Sequence, residues 1–169
     1  MTVFIALLRA VNVGGTGKLP MAELRAICES AGFLNVRTYI ASGNVIFETG
    51  LAREKAKARL ESGLQAYAGK PVGVIMRTPD EMKAVLQANP FPEAVPNRTV
   101  VIFFAEVLSP DCLAQVKGRR DERLHLAQRE IYVEYGVAMA DSKLVIPAAK
   151  TGTGRNMNTV AKLVEMAAA

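Results

Sequence analysis

Apolar positions in the first half of the chain alternate between the spacing of strands and that of helices. Met1 to Leu8 is a nearly continuous apolar run, as in a central strand covered on both faces. From Met21 to Ala31 the apolar residues recur with helical period, and Gly32 follows as a natural helix end. These criteria predict strands at 1–8, 35–41, 45–49 and 72–77 and helices at 21–31 and 51–68. The βαββαβ order is typical of a ferredoxin-like unit, an antiparallel sheet with two helices on one face.

Capping and proline signals place a boundary near the middle of the chain. Thr78-Pro79-Asp80-Glu81 is a capping box with proline at the first helical position, and it predicts a short helix to about Ala88. Asn89-Pro90-Phe91-Pro92 then breaks this helix. We therefore predict an N-terminal ferredoxin-like subdomain with its short helix at 1–88, a Pro-rich connection at 89–97 and a second subdomain at 98–169.

The second half repeats the first pattern in a weaker form. The sequence predicts strands at 98–106, 122–127 and 130–135, helices at 109–117 and 156–166, and a helix-length segment at 142–150. Alternation puts Leu124 and Leu126 on one face of the hairpin and, on its second strand, Ile131, Val133 and Tyr135 on one face. We interpret this half as a degenerate second copy with a helix where the closing strand would be. The predicted fold class is α+β, with two ferredoxin-like subdomains and a C-terminal helix.

Charge and composition change this picture little. The 169 residues are half hydrophobic, carry a net charge of +5 and give a pI near 9.4. Most of the excess lies in residues 1–85, with 11 basic and 7 acidic side chains against 10 and 9 in the rest. This balance favours anionic partners and excludes a disordered chain or a dedicated nucleic-acid arm.

The two cysteines indicate a reducing compartment. Cys28 and Cys112 fall on apolar helical faces, so that we expect two buried thiols and a cytoplasmic protein. The N-terminal apolar run is too short for a signal peptide, and no run approaches the roughly 20 residues of a membrane span. With one histidine in the chain, we expect neither a soft-metal cluster nor a cofactor.

A glycine-rich basic loop joins the first strand to the first helix. Residues 9–18 lead to Pro20 at the start of the helix, and such a connection can present backbone N–H groups to an anion. The loop is not a nucleotide-binding P-loop, because Asn12 stands where that motif needs glycine and Leu19 where it needs Ser or Thr. Two interpretations stay open, an anion-binding loop and a flexible connection.

The segment 151–158 has the same layout of glycines, a cation and a helix start. Asn156 is a suitable N-cap, and Asn158 and Thr159 fall in the first turn, which we expect to be exposed. The simpler interpretation is a helix cap beside a surface arginine. If the fold brings this segment and the N-terminal loop together, they would form one cationic pocket.

No arrangement of catalytic residues can be argued from the sequence. His125 lies between Leu124 and Leu126 in a predicted strand, so that its side chain points away from theirs, and acidic residues are scattered. Whether the protein catalyses a reaction is left open.

Several motifs are similar to those of one bacterial family. They are Leu8-Arg9-x-x-Asn12-Val13-Gly14-Gly15 with Lys18, Thr38-Tyr39-Ile40-x-Ser42-Gly43-Asn44-Val45, Asn89-Pro90-Phe91, Ser142-Lys143-Leu144 and Arg155-Asn156-x-Asn158-Thr159-Val160. These motifs occur in the order typical of the family catalogued as domain of unknown function 1697, which the sequence resembles over nearly its whole length. The resemblance implies two ferredoxin-like subdomains and supplies no activity. The family's usual tryptophan between the last two asparagines is Met157 here.

The polar signature residues sit on predicted loops or helix starts, from which we infer a binding site for a small anionic or phosphorylated ligand. Cations would supply charge, and asparagines directional hydrogen bonds. The predicted ligand-binding residues are Arg9, Asn12, Gly14, Gly15, Lys18, Ser42, Asn44, Arg155, Asn156 and Asn158.

Two alternatives stay open beside the ligand site. The first is a structural or protein-interaction module without a ligand, in which the signature residues only hold the subdomains together. The second is nucleic-acid binding by a ferredoxin-like sheet, although no ribonucleoprotein motif is present. A membrane partner is not expected, and the sequence leaves the oligomeric state open.

Overall fold

The computed structural model describes residues 1–9, 19–39, 43–136 and 141–168. The chain divides into two compact units. Unit 1 comprises Met1–Lys83 with Leu163–Ala169, and unit 2 comprises Ala84–Lys162. Each unit holds one four-stranded antiparallel sheet.

Unit 1 confirms the predicted ferredoxin-like topology. Its strands are β1 (Thr2–Leu8), β2 (Leu34–Tyr39), β3 (Asn44–Thr49) and β4 (Val74–Arg77), paired in the order β2-β3-β1-β4. Its helices are α1 (Met21–Ser30), α2 (Arg53–Ala68) and α3 (Pro79–Gln87), the last of which continues into unit 2. Strand β1 pairs on both sides, as its apolar run predicts, and β3 also pairs on both sides.

The core of unit 1 lies between its sheet and the helices α1 and α2. Phe47 of β3 is fully buried and stacks on Phe33, with ring centroids 4.0 Å apart and planes at 5°. Leu24 and Cys28 of α1 and Leu60 of α2 join the same cluster. The helical apolar stripe predicted for 21–31 is therefore part of the core under the sheet.

The capping box that was predicted at the start of α3 is present with both of its hydrogen bonds. The backbone N–H of Glu81 donates to Thr78 Oγ1 at 3.2 Å, and the N–H of Thr78 donates to Glu81 Oε1 at 2.9 Å. Glu81 Oε1 also accepts from Arg53 of α2 at 2.8 Å. These contacts fix where β4 ends and the helix begins.

Unit 2 has the same strand order with fewer helices. Its strands are β5 (Thr99–Phe103), β6 (Arg123–Leu126), β7 (Glu130–Glu134) and β8 (Thr153–Asn156), paired in the order β6-β7-β5-β8. Helix α4 (Met157–Ala168) follows β8 directly. The hydroxyl of Tyr132 on β7 donates to the carbonyl of Val85 on α3 at 2.8 Å.

The predicted helix at 109–117 is wrong, and the helix-length segment at 142–150, whose helicity Pro147 already made uncertain in the sequence, is not an α-helix. Residues 110–115 form turns, in which the N–H groups of Cys112, Ala114 and Val116 each donate to the carbonyl three residues earlier. The predicted segment 142–150 holds a bridge between Val145 and Lys117 and a 3₁₀ helix at Pro147–Thr151. Pro147 disfavours helical geometry in Ile146 before it, so that an α-helix cannot run through this point.

The expectation that a helix replaces the closing strand is also wrong, because β8 is that strand. Gly154, which suggested a loop, lies opposite Ile102 in the ladder with β5. A Cβ at Gly154 would lie 3.1 Å from Val100 Cγ1, so that glycine suits this crowded position. The strand and the helix are both present, one after the other.

The hairpin faces of unit 2 agree with the predicted alternation. Leu124 and Leu126 pack with Ile131, Val133 and Tyr135 in one hydrophobic cluster under the turns of 110–115. His125 is exposed, with its ring centroid 6.0 Å from that of Tyr132. Among the described residues, no helix is both long and apolar enough to cross a membrane.

Burial of Cys28 predicts a specific loss of stability at alkaline pH. Desolvation raises the pKa of this thiol to about 12, whereas an exposed thiol has a value near 9. Above pH 9 the unfolded chain releases this proton and the folded chain keeps it, so that raising the pH favours unfolding. We expect the free energy of unfolding of the wild type, relative to that of Cys28→Ala, to be constant below pH 8 and to fall by about 1.4 kcal/mol at pH 10.

Urea unfolding of both proteins across this pH range checks the expectation. The comparison with Cys28→Ala cancels the titration of the other alkaline groups, including Tyr132, whose pKa burial also raises to about 12. A difference between the two proteins that does not change with pH would contradict a buried, protonated thiol.

Candidate functional site

Arg9 stands at the end of β1, where the glycine-rich loop begins. Its backbone N–H donates to the carbonyl of Gly73 at 2.9 Å, and the N–H of Leu8 donates to Gly43 at 2.9 Å. Three points of the chain therefore meet at one end of the unit 1 sheet: the end of β1, the turn before β3 and the start of β4.

The side chain of Arg9 is half-buried and packs against Gly73. A Cβ at Gly73 would lie 3.2 Å from both Cδ and Nη1 of Arg9, closer than ordinary van der Waals contact. The absence of a side chain at Gly73 is what leaves room for the arginine. The guanidinium is thus held against Gly73 at this end of the sheet.

Asn44 lies at the same end of the sheet and closes the β2-β3 hairpin. It is fully buried, and its Nδ2 donates to the carbonyl of Tyr39 at 3.0 Å. The other predicted ligand residues of this half lie outside the described residues: Asn12, Gly14, Gly15, Lys18 and Ser42.

Arg155 is a buried strand residue and not a loop cation. It is 6% exposed on β8, and its Nη1 donates to Thr153 Oγ1 at 2.7 Å and to the carbonyl of Gly154 at 2.9 Å. Burial lowers the pKa of Arg155 to about 10. The expectation of a surface arginine in a Gly-rich loop is therefore wrong, because β8 carries this residue into the interior of unit 2.

Asn156 is the N-cap of α4, as predicted. Its Oδ1 accepts from the N–H of Thr159 at 2.9 Å. Asn158 is exposed in the first turn of α4, as expected. Thr159 is buried, with only 7% of its surface exposed, contrary to the expectation.

An internal counterpart of Arg155, which the sequence reading missed, is Arg77. In unit 1, Arg77 lies opposite Ile5 of the central strand, and in unit 2, Arg155 lies opposite Val101 of the central strand. Arg77 is also buried, and its Nη1 likewise donates to the carbonyl of the preceding residue, at 3.0 Å.

The residue after each arginine caps a helix. Thr78 caps α3 and Asn156 caps α4, each by accepting the N–H three residues later. Both units thus use one device, a buried arginine on the closing strand followed by an N-cap. The repeated order of arginine, capping residue and helix is the sequence signal that could have found Arg77.

Two further signature motifs hold loops in place. Asn89 Oδ1 accepts the N–H of Phe91 at 2.9 Å. Ser142 donates to Glu122 and accepts from the N–H of Leu144 at 3.2 Å. Hydrogen bonds from the backbone of Arg120 and from Ser142 hold the pKa of Glu122 below its usual range.

Metal-ligating clusters are not found in the described part of the chain, since no group of three or more His, Cys, Asp or Glu side chains comes together there. Cys28 and Cys112 are both free thiols; Cys28 is buried, as expected, and Cys112 is half-buried.

The strand order and the repeated register define an α+β protein built of two ferredoxin-like units. The chain belongs to the family described as protein of unknown function DUF1697, which matches residues 1–132. Over 98% of both chains it is similar to the conserved bacterial protein SP0830 from Streptococcus pneumoniae, with a TM-score of 0.82 and 25% sequence identity. No curated protein matches the chain.

Proposed function

We propose that the chain binds a small anionic or phosphorylated ligand at the end of the unit 1 sheet. The observation that carries the proposal is the packing of Arg9 over Gly73, which holds a guanidinium at the start of the glycine-rich loop. A side chain that is already restrained loses less conformational entropy when it binds. Guanidinium also matches the oxygens of a phosphate in geometry and charge.

The local sequence supports the same chemistry. Residues 9–20 hold two cations, Arg9 and Lys18, and no acidic side chain. Glycine has no side chain to keep a ligand from the backbone, so that a glycine-rich sequence suits binding of an anion by backbone N–H groups. Asn12 and Lys18 follow Arg9 in the sequence and Ser42 precedes Gly43, and we propose that these three residues complete the site.

Ligand-induced stabilisation tests the proposal. Thermal unfolding is measured with inorganic phosphate, glucose 6-phosphate and adenosine monophosphate, on the wild type, Arg9→Gln, Lys18→Gln and the control Lys83→Gln. Lys83 is an exposed lysine on α3. A ligand at a hundredfold excess over its Kd stabilises the folded state by about 2.7 kcal/mol.

We expect one of these probes to stabilise the wild type and Lys83→Gln equally and to stabilise Arg9→Gln and Lys18→Gln much less. Stabilisation by none of them, or equal stabilisation of all four proteins, would contradict the site. Binding of a short single-stranded RNA with a steep loss of affinity at rising salt would instead favour the nucleic-acid alternative.

The second candidate, a module without a ligand, is supported by the intramolecular bonds of the described signature residues. Asn44, Asn156 and Ser142 each bond to neighbouring backbone, and Arg155 bonds within β8. Under this alternative, Arg155→Ala lowers the melting temperature, and no probe shifts the melting temperature of the wild type.

The free thiols support the expected cytoplasmic location.

A further inference from the structure

A cavity of about 410 Å³ that opens to solvent lies in unit 2 at the end of β5, lined by residues 104–109 and Thr151, of which five are exposed. This volume is within the range of small-molecule sites, about 300 to 1,000 Å³. The N–H of Phe104 donates to Arg129 at 2.9 Å, as the N–H of Leu8 donates to Gly43 in unit 1. By the internal repeat, this cavity is therefore the counterpart of the sheet end where Arg9 lies.

The charge of the counterpart is reversed. Ala105 follows Phe104 where Arg9 follows Leu8, and the next residue is Glu106. Among the lining residues Glu106 is the one ionisable side chain, so that the lining carries a negative charge and no cation.

The hydroxyl groups of the lining also favour a positively charged hydrogen-bond donor. Ser109 donates its proton to Asp111, and Thr151 donates its proton to the carbonyl of Ala148 at 3.4 Å. With these bonds in place, both hydroxyl oxygens present lone pairs to a ligand. The N–H of Leu108 is likewise occupied, since it donates to the carbonyl of Gln128 at 2.7 Å.

The rest of the lining is apolar. Phe104 is 3% exposed and belongs with Leu108 to the hydrophobic cluster of unit 2. Val107 is 71% exposed at the rim, where a ligand could cover it. We propose that this cavity binds an organic ammonium group on an apolar stem, with Glu106 as the counter-ion and the hydroxyl oxygens as acceptors.

Titration by NMR tests the proposal with phenethylammonium as the probe and 2-phenylethanol as its uncharged analogue. We expect phenethylammonium to shift the amide signals of residues 104–109 and Thr151 saturably, and the alcohol to bind at least about threefold more weakly. Glu106→Gln should weaken the binding of phenethylammonium about threefold, which corresponds to about 0.65 kcal/mol, because Glu106 is exposed and water screens its charge. Glu54→Gln, an exposed carboxylate on α2 of unit 1, should leave its affinity unchanged.

Three outcomes would overturn the proposal: no saturable shift of these signals, equal affinity for the alcohol, or unchanged affinity in Glu106→Gln. The site uses none of the residues of the anion site, so that either proposal can fail while the other stands. The amide spectrum of Glu106→Gln shows whether the variant keeps its fold.

Discussion

Replacing Phe47 by alanine is expected to lower the free energy of unfolding by about 3 to 5 kcal/mol. The side chain is fully buried on the central strand β3; its ring stacks on that of Phe33, with centroids 4.0 Å apart, and lies tilted to that of Phe4, with centroids 6.2 Å apart. Truncation removes the apolar contacts and leaves a cavity that the sheet and two helices cannot close, because β3 is paired on both sides.

Urea unfolding followed by circular dichroism measures this loss. The matched control is Tyr67→Ala, at an aromatic side chain on α2 that is 46% exposed, for which we expect less than about 1 kcal/mol. Equal losses in the two variants would contradict the central position of Phe47 in the core.

Gly118→Ala is expected to lower the free energy of unfolding by roughly 3 kcal/mol. One cause is backbone strain, and the other is steric overlap between the added methyl group and a neighbouring carbonyl. Gly118 has φ of +69°, a left-handed conformation that side chains rarely adopt, and an added Cβ would lie 2.0 Å from the carbonyl oxygen of Lys143. The adjacent bridge, with hydrogen bonds of 2.9 and 2.8 Å between Lys117 and Val145, resists the shift that would relieve the overlap.

Two further glycines separate the two causes. Gly32 has φ of +88° with nothing within 4 Å of an added Cβ, so that Gly32→Ala should cost about 1 to 2 kcal/mol from strain alone. Gly50 has neither feature, and Gly50→Ala should change stability by less than about 0.5 kcal/mol. If Gly118→Ala were no worse than Gly32→Ala, the contact with Lys143 would not be rigid.

The sequence predicts unit 1 well because its local signals agree with its tertiary structure. The apolar stripe of α1 ends at Gly32, and the capping box at Thr78 marks the start of α3. Each of these signals acts within a few residues of its own position, so that a single sequence contains it.

Unit 2 is predicted less well because its apolar spacing does not decide between a helix and a set of turns. Cys112, Leu113 and Val116 have helical spacing, and they do pack against the unit 2 core. The segment is too short to offset the cost of helix nucleation, and turns bury the same side chains. Gly154 pairs with Ile102 in a long-range contact, which no local sequence pattern predicts.

The candidate site is predictable to the extent that its residues act locally. Capping by Asn156 follows from its place before an amphipathic helix. The burial of Arg155 does not follow from the local sequence, because it depends on the register of β8 against β5. A Gly-rich sequence leaves that register undetermined. Packing of Arg9 against Gly73 likewise joins residues far apart in the chain.

The membership of residues 163–168 in unit 1 has a consequence for biosynthesis. Leu163 is fully buried, and Arg37 of β2 donates to the carbonyl of Met166. On the ribosome these residues emerge only after unit 2 has been translated, roughly 4 to 16 s behind Lys83 at typical elongation rates. During that interval the nascent unit 1 lacks the carbonyl that accepts the hydrogen bond of Arg37, and its folding is completed by residues that are translated after those of unit 2.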